Sequence, residues 1–598
     1  MLSFLRIALA CTALVLVIPA SYVFGADDKP APQVIAHIKL SGDLGEAPTL
    51  ADPLFGAASE NLKAKLDRIR KAKSDPNVRA LYLEIGDLSI GFGKLAELQR
   101  AIAEFRSSGK KSYAYLEDAG TIEYLVALSC ETVALPESGT LMLTGLRASV
   151  TFYKDTLELL RLKADVLKIG DYKGAVEPFT RNSLSKENQE QIESMLDDHF
   201  AHDLVAAIVA ARPEKKWTAE QVKKLIDEGP FTAKRAAELG LVDKSTYSDA
   251  FEVFIKKQVN VEKLQVARNY GKEKTAEIDF SNPFALVKLL SPPKPKESKE
   301  PKIAVIYAVG AIETGKGGGN PLTGDSVGST TMVEAIRQAE NDPTVKAIVL
   351  RVDSPGGSAL ASDLIWNEIV RCKKPIVASM GDVAASGGYY ISMGCRKIFA
   401  EPGTTTGSIG VFGLKLVTGG LSEWAGMKTV TIQRGKNAGI VTTERAYTDS
   451  ERAAMTQIIQ GVYDHFIDKA LAGRQKAGVN IDREHLLMLA GGRVWTGRQA
   501  KERGLVDELG TLDDAIFATK KLAGLDANKP MELLMLPKPT SFLDRLMEGE
   551  MKSPLGTSQS MDELFRLIGG KSVIREAGVL LRDRDPVKAM LPYKLDVK

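Results

Sequence analysis

The chain has 598 residues, 44% of them hydrophobic and 26% charged, with a net charge of +3. That length exceeds one ordinary core and points to two or more domains. The small charge gives no reason to invoke nucleic acid, and four cysteines (Cys11, Cys130, Cys372, Cys395) are too few and too scattered for a disulfide framework or a zinc site.

Residues 7–24 carry no charge, behind Arg6 and ahead of Asp27 and Asp28. Such a run fits a secretory signal, with Gly25 or Ala26 near the cleavage point. It fits a short membrane anchor equally. Either reading exports the rest of the chain across a membrane.

Most of the remaining sequence is a tandem repeat. "SDPNVRALYLEIG" at 74 returns as "NDPTVKAIVLRVD" at 341, "EYLVALSCETVALP" around Cys130 as "GYYISMGCRKIFAEP" around Cys395, and "FTAKRAAELGLVD" at 231 as "WTGRQAKERGLVD" at 495. The spacing between copies drifts by only three residues from end to end, which marks one long duplication. Each copy opens on a β-rich run, "VIAHIKL" or "IAVIYAVG". A helix follows, with apolar residues at helical spacing: Leu62, Leu66 and Ile69 in the first copy, Val333 and Ile336 in the second. Then come "RALYLEI" and "KAIVLRV", near-continuous apolar runs of the kind buried in a sheet covered on both faces. Alternation of strand and helix implies an α/β domain in each copy.

The chain divides accordingly into a signal sequence or anchor (1–26), a first repeat (33–290), a Pro/Lys-rich linker (291–302), a second repeat (303–535) and a tail (536–598) expected to be helical and partly mobile. A glycine-rich tract at 315–328 lacks the Gly-Lys-Ser/Thr ending of a phosphate loop and reads as a mobile surface loop.

The duplication acts as an internal control, because structural positions should persist in both copies while chemistry need survive in only one. In "GDVAASGGYY", Ser386 lies on a strand-turn-helix stretch, with "KKPIVASM" as strand, "GDVAAS" as a tight turn and "GGYYISMG" as the start of a helix. Such a serine is exposed for attack near the positive end of a helix. Its counterpart in the first copy is Thr121, where the small residues are also lost. The strand "AIVLRV" ends in "DSPGG", whereas its counterpart ends in "GDLSI" without Gly356 and Gly357. Acyl transfer needs N–H donors where an oxyanion develops, and a Gly-Gly turn can aim them there. Taken alone, this is an ordinary glycine turn; lost together with the serine, it points to function. The N–H groups of Gly357 and Gly387 are therefore the expected oxyanion donors.

No histidine is near Ser386 in sequence. His199 and His202 lie in a helix of the first copy and His465 in the matching helix of the second, as expected of packing or surface positions. A lysine can serve as base if burial keeps it neutral. Lys173 in "KIGDYKGAVEPF" and Lys436 in "QRGKNAGIVTTER" occupy matching places, each twelve residues before an expected helix cap, Ser185 and Thr448. Spacing alone does not choose between them.

Together, "RVDSPGGSA", "GDVAASGGYYIS", "GTTTGSIGVFG" and "GDYKGAVEPF" resemble the signal peptide peptidase A (SppA) family in its long, tandem-domain bacterial form, over residues 33–530. The resemblance implies an α/β fold of tandem Clp protease/crotonase-like domains. It implies a membrane-bound serine endopeptidase without cofactor or metal, acting on signal peptides released from exported proteins, with its catalytic domains on the periplasmic side of the bacterial inner membrane. It implies Ser386 as nucleophile and Lys173 as general base, a site assembled between the two repeats, Ser408 orienting the lysine, and a homo-oligomer, commonly of four chains. Lys436 would then face the position of Thr121 in an inert interface. The N-terminus departs from the family pattern, being shorter and less basic than the usual anchor. Two other functions fit parts of the sequence: a crotonase-like acyl-CoA enzyme, which would need neither Ser386 nor Lys173, and a catalytically silent membrane scaffold.

Overall fold

The computed structural model describes residues 32–48, 60–261, 263–272, 298–318, 326–538 and 587–590. The N-terminal apolar run, residues 291–297 of the linker and residues 319–325 of the glycine-rich tract lie outside these. Among the described residues no helix is long and apolar enough to cross a membrane.

The strands of the first repeat are β1 (Val34–Gly42), β2 (Val78–Leu88), β3 (Lys111–Leu116), β4 (Thr132–Leu135), β5 (Thr140–Leu141), β6 (Lys163–Ile169), β7 (Phe231–Thr232), β8 (Lys244–Ser245) and β9 (Gln265–Ala267). In the second repeat they are β10 (Lys302–Val309), β11 (Ala311–Glu313), β12 (Ser326–Gly328), β13 (Val345–Ser354), β14 (Gly356–Ser358), β15 (Ile376–Ala385), β16 (Lys397–Ala400), β17 (Thr405–Gly407), β18 (Val411–Val417), β19 (Val494–Thr496), β20 (Glu508–Leu509) and β21 (Glu532–Leu536). β22 (Val587–Met590) follows in the tail.

Each repeat builds a parallel sheet, β8-β4-β3-β2-β1-β9 in the first and β19-β17-β15-β13-β10-β21 in the second, the latter antiparallel only at β17–β19. The long apolar runs are the central strands β2 and β13, buried on both faces as parallel sheets require. The helix Leu62–Ser74 is entered through Asn61, whose side chain accepts from the Ala64 N–H, and it buries Leu62, Leu66 and Ile69. Its counterpart Ser329–Asn341 buries Met332 and Ile336, leaving Val333 half-buried. Ser185 and Thr448 cap their helices as expected, Thr448 in a capping box with Glu451.

Two local expectations are corrected. The "GDVAAS" stretch is not a turn, because β15 runs on to Ala385, held extended by pairing of Val383, Ala384 and Ala385 with Thr405, Thr406 and Gly407. Only Ser386 turns the chain. The tail, expected to be helical, is a strand at 587–590, where it finds two antiparallel partners, β14 and β18; residues 539–586 and 591–598 lie outside the described residues.

A third sheet, β12-β11-β14-β22-β18-β6, takes strands from both repeats. β6 of the first repeat pairs along its whole length with β18 of the second, from Ile169↔Val411 to Lys163↔Val417. This pairing carries the end of β6, and the residues that follow it, onto the second repeat.

Buried charges join the repeats behind that crossing. Arg351 of β13 is fully buried and donates to Glu46 Oε1 and Oε2 at 2.7 and 2.9 Å, with Glu97 Oε1 at 2.9 Å. Both carboxylates belong to the first repeat. The helix Phe92–Arg106 begins at Gly91, which has no side chain to cap it. Asp382, four residues before Ser386, supplies the cap instead, accepting from the Gly91 and Lys94 N–H groups at 2.9 and 2.8 Å. Gly93 permits the approach: a Cβ there would fall 2.6 Å from Gly381 O.

Arg351→Met would leave Glu46 and Glu97 buried without their cation. It should lower stability by about 3–5 kcal/mol, read as a fall in the denaturant midpoint, whereas substitution of the exposed Lys436 should change it little.

Candidate active site

Three segments converge at one point. The first is the turn at Ser386. Its backbone adopts φ 56° and ψ −112°, an arrangement that costs a non-glycine residue about 1–3 kcal/mol. The conformation is held from both sides: the Ser386 N–H donates to Gly407 O at 2.8 Å, and its carbonyl accepts from the Tyr390 N–H at 2.8 Å. The helix Gly387–Ser392 starts at the next residue, so the Gly387 N–H sits where a helix offers no internal acceptor. Gly388 lets this helix press on the end of β13; a Cβ there would lie 2.6 Å from Ser354 O.

The second segment is the loop between β17 and β18. Ser408 also has a positive φ, 51°, and its N–H donates to Arg493 O at 2.7 Å. The third is the chain after β6, which delivers Lys173. Lys173 Nζ lies 2.7 Å from Ser386 Oγ, 3.0 Å from Ser408 Oγ and 3.1 Å from Ser408 O. All three residues are fully buried, so Ser386, expected to be exposed on its turn, is instead covered where the three segments meet. Among the described residues no carboxylate forms an ion pair with Lys173, and burial alone pushes its ammonium well below the usual lysine range.

The other expected residues fall as follows. Gly357 lies in β14, between Ile312 of β11 and Ala589 of β22. It must be glycine, since a Cβ would meet Ile312 O at 2.0 Å. Gly356 before it takes φ 95°, which glycine alone adopts freely. Lys436 is exposed and is not part of this cluster. Thr121 is buried at the start of the helix Thr121–Ala127, without the strained backbone of Ser386, and its hydroxyl has no hydrogen-bond partner. Hence Lys436 does not reach Thr121 within the chain. His199 stacks on Phe92 and bonds Asp203 Oδ2 at 2.7 Å, His37 bonds Glu84, and His202, His465 and His485 are exposed.

The residues that seat Lys173 escaped the sequence reading. Gly492 packs on its backbone, where a Cβ would lie 2.6 Å from the Lys173 Cα. Gly410 lies beneath its stem. The Tyr172 N–H donates to Gly491 O at 3.1 Å, and Gln191 bridges the repeats from Tyr172 O to the Val494 N–H. A signal was present: "GGRVWT" of the second copy reads "DEGPFT" in the first, so Gly491 and Gly492, like Gly356 and Gly357, exist only in the copy that carries the serine.

This arrangement presents a hydroxyl on a strained turn, an amine driven towards neutrality and a glycine N–H at the helix start next to the serine, the parts of an acyl-transfer site without histidine. Known proteins agree. The sequence model of Peptidase family S49 matches twice, at residues 104–262 and 368–526, once in each repeat. The chain is 33% identical over 527 residues to the serine protease SPPA of Arabidopsis thaliana chloroplasts, covering 86% of this chain and 74% of the relative. It is 34% identical over 490 residues to Protease 4 of Salmonella typhi, covering 80% and 75%. Protease 4 of Haemophilus influenzae is 30% identical over 475 residues, covering 76% and 72%. With the family matched once in each repeat and such relatives aligned along most of their length, this chain, built of tandem Clp protease-like α/β domains, belongs to peptidase family S49 and is a serine peptidase.

Proposed function

We propose that the chain is an endopeptidase working through Ser386 and Lys173, with released signal peptides and other unfolded apolar peptides as substrates. The observation that carries this reading is the Lys173 Nζ, buried without a counter-ion 2.7 Å from Ser386 Oγ. A neutral amine has two N–H donors and one lone pair. Ser408 O and Oγ supply two acceptors at 3.1 and 3.0 Å. The lone pair is thereby left for the Ser386 hydroxyl proton, which makes Ser408 a positioning residue.

In this mechanism Lys173 takes the proton as Ser386 Oγ attacks the scissile carbonyl. The N–H groups of Gly357 and Gly387 stabilise the oxyanion. Lys173 then gives the proton to the leaving amine, and water attacks the acyl-enzyme with Lys173 again as base. The seryl ester breaks and Ser386 regains its proton. Membership of a peptidase family stands against the acyl-CoA alternative, and the intact cluster at Ser386 stands against a silent scaffold. The same reading includes export across the bacterial inner membrane, with this site on the far side, as the family resemblance implies; the apolar N-terminal run supports the export.

The same reading includes a homo-oligomer. Within the chain, β6 of the first repeat pairs with β18 of the second. The second-copy counterpart of β6 is the segment 427–434, and the first-copy counterpart of β18 is 146–152; neither belongs to a helix or strand. Val430 is 86% exposed and Ile432 84%, with Trp424 and Val441 also exposed. Apolar side chains displayed together mark an interaction surface. Segment 427–434 of one copy docking on 146–152 of the next would repeat the internal joint between chains. Each contact would be head-to-tail, and the assembly would close as a ring.

Ser386→Ala should lower cleavage of an unfolded apolar peptide by about a millionfold, and Lys173→Met by about 100- to 10,000-fold, both with unchanged thermal midpoints. Full activity in either would overturn the mechanism. Because the base must be neutral, kcat/KM should rise with pH through an ionisation well below the usual lysine value, and activity should vanish below it as Lys173 gains a proton. Val430→Asp with Ile432→Asp should convert the oligomer to monomers by light scattering, while an oligomer of unchanged mass would exclude that joint.

A further inference from the structure

We infer that Arg493 is a positioning residue for the peptidase reaction: its carbonyl seats Ser408 and its guanidinium seats Tyr172, so that one residue of the second repeat holds Lys173 in its dry place. The inference rests on the Ser386–Lys173 reading and deepens it. The Ser408 N–H donates to Arg493 O at 2.7 Å, which fixes the positive-φ backbone whose carbonyl and hydroxyl face the Lys173 amine. The guanidinium carbon lies 4.6 Å from the centre of the Tyr172 ring and 4.5 Å from that of Trp495. The same group donates to Tyr172 Oη at 3.1 Å and pairs with Glu190 Oε1 at 2.8 Å, while the Tyr172 hydroxyl donates to Glu190 Oε2 at 3.2 Å. Tyr172 and Glu190 belong to the first repeat, Arg493 and Trp495 to the second. The clamp therefore spans the joint next to the lysine.

Three observations make it more than a surface contact. Lys173 is fully buried, yet Tyr172 is half-buried and Asp171 exposed, so the boundary with water falls on the residue that Arg493 holds. The Arg493 Nε is buried with no hydrogen-bond partner among the described residues, at a cost of about 1–3 kcal/mol that an arginine kept only for stability would not carry. Finally, the counterpart of Arg493 in the first copy is Gly229, and that of Tyr172 in the second is Gly435. Each member of the clamp exists only in the copy that supplies its functional neighbour. The Trp495 ring is itself fixed, its indole N–H donating to Leu489 O at 3.1 Å. A Cβ on Gly407, whose carbonyl holds the Ser386 N–H, would meet that ring at 2.8 Å. The charged groups around the clamp are Asp171, Glu177, Glu187, Glu190 and Arg503; burial, and none of these, is what disfavours the Lys173 ammonium.

The test follows kcat/KM of the full chain on an unfolded apolar peptide against pH. Without the clamp, water reaches Lys173, its ammonium is better solvated, and less of it is neutral at a given pH. Arg493→Ala should lose about 10- to 100-fold near neutral pH and recover much of that at alkaline pH, its acid limb moved towards the usual lysine value. Arg493→Lys keeps a charge opposite Glu190 but no plane to lay on the rings, and should move the limb the same way. Arg503 also lies over the Trp495 ring, at 4.1 Å, but bonds Gln499 O; Arg503→Ala should leave the limb in place. An unmoved limb in either Arg493 variant, or an equal movement in Arg503→Ala, would overturn the inference. So would failure of both Arg493 variants to fold, since that is the mark of a merely structural residue. The dyad is judged apart from this: activity in Ser386→Ala or Lys173→Met would sink it, whereas an error about Arg493 leaves those two inactive.

Discussion

Everything at the site depends on removing one lysine from water without giving it a counter-ion. Lys173 is fully buried, with Ser386 and Ser408 at hydrogen-bonding distance and Gly410 and Gly492 packed against its stem and backbone. A carboxylate within reach would restore its charge and remove its basicity; none among the described residues pairs with it. Desolvation of this kind needs a well-fitted surround, and here the surround comes from two domains. The glycines at 410, 491 and 492 let the second repeat close on the lysine's stem and backbone, and Gln191 ties Tyr172 to Val494. A single repeat could not supply both the lysine and the serine.

The crossing of β6 onto β18 makes this closure possible, and the buried charges make it stiff. Arg351 with Glu46 and Glu97 fixes the central strand of one repeat to the other. Asp382 caps a helix of the first repeat from the strand that leads to Ser386. The rigid joint therefore lies directly behind Ser386, where a small shift between domains would be felt as a change in the Lys173–Ser386 distance. Catalysis by positioned groups is sensitive to displacements of about 1 Å.

Much of the fold was legible because a duplicated sequence is read twice. Apolar runs at 79–85 and 346–352 identified the central strands, and the caps at Ser185 and Thr448 lie where the pattern placed them. Ser386, Gly356 and Gly357 stood out by their absence from the first copy. The same comparison would have exposed Gly491 and Gly492, had it been extended to the approach to β19. By contrast, the tail strand was not legible. Its four residues carry no strong period, and they become a strand only because two open edges receive them.

The sequence by itself determined the tandem α/β architecture and singled out Ser386 and the glycines at 356 and 357 as candidates, since these rest on local periodicity and on the difference between two aligned copies. It offered Lys173 and Lys436 as candidate bases by spacing and went no further, except through family resemblance. Tertiary structure gives the two lysines different surroundings: Lys173 is carried by β6 into a buried contact between repeats, and Lys436 is left in solvent. The physical reason is that basicity in a lysine comes from desolvation, which belongs to the packing of distant segments and not to the residue or its neighbours in the chain.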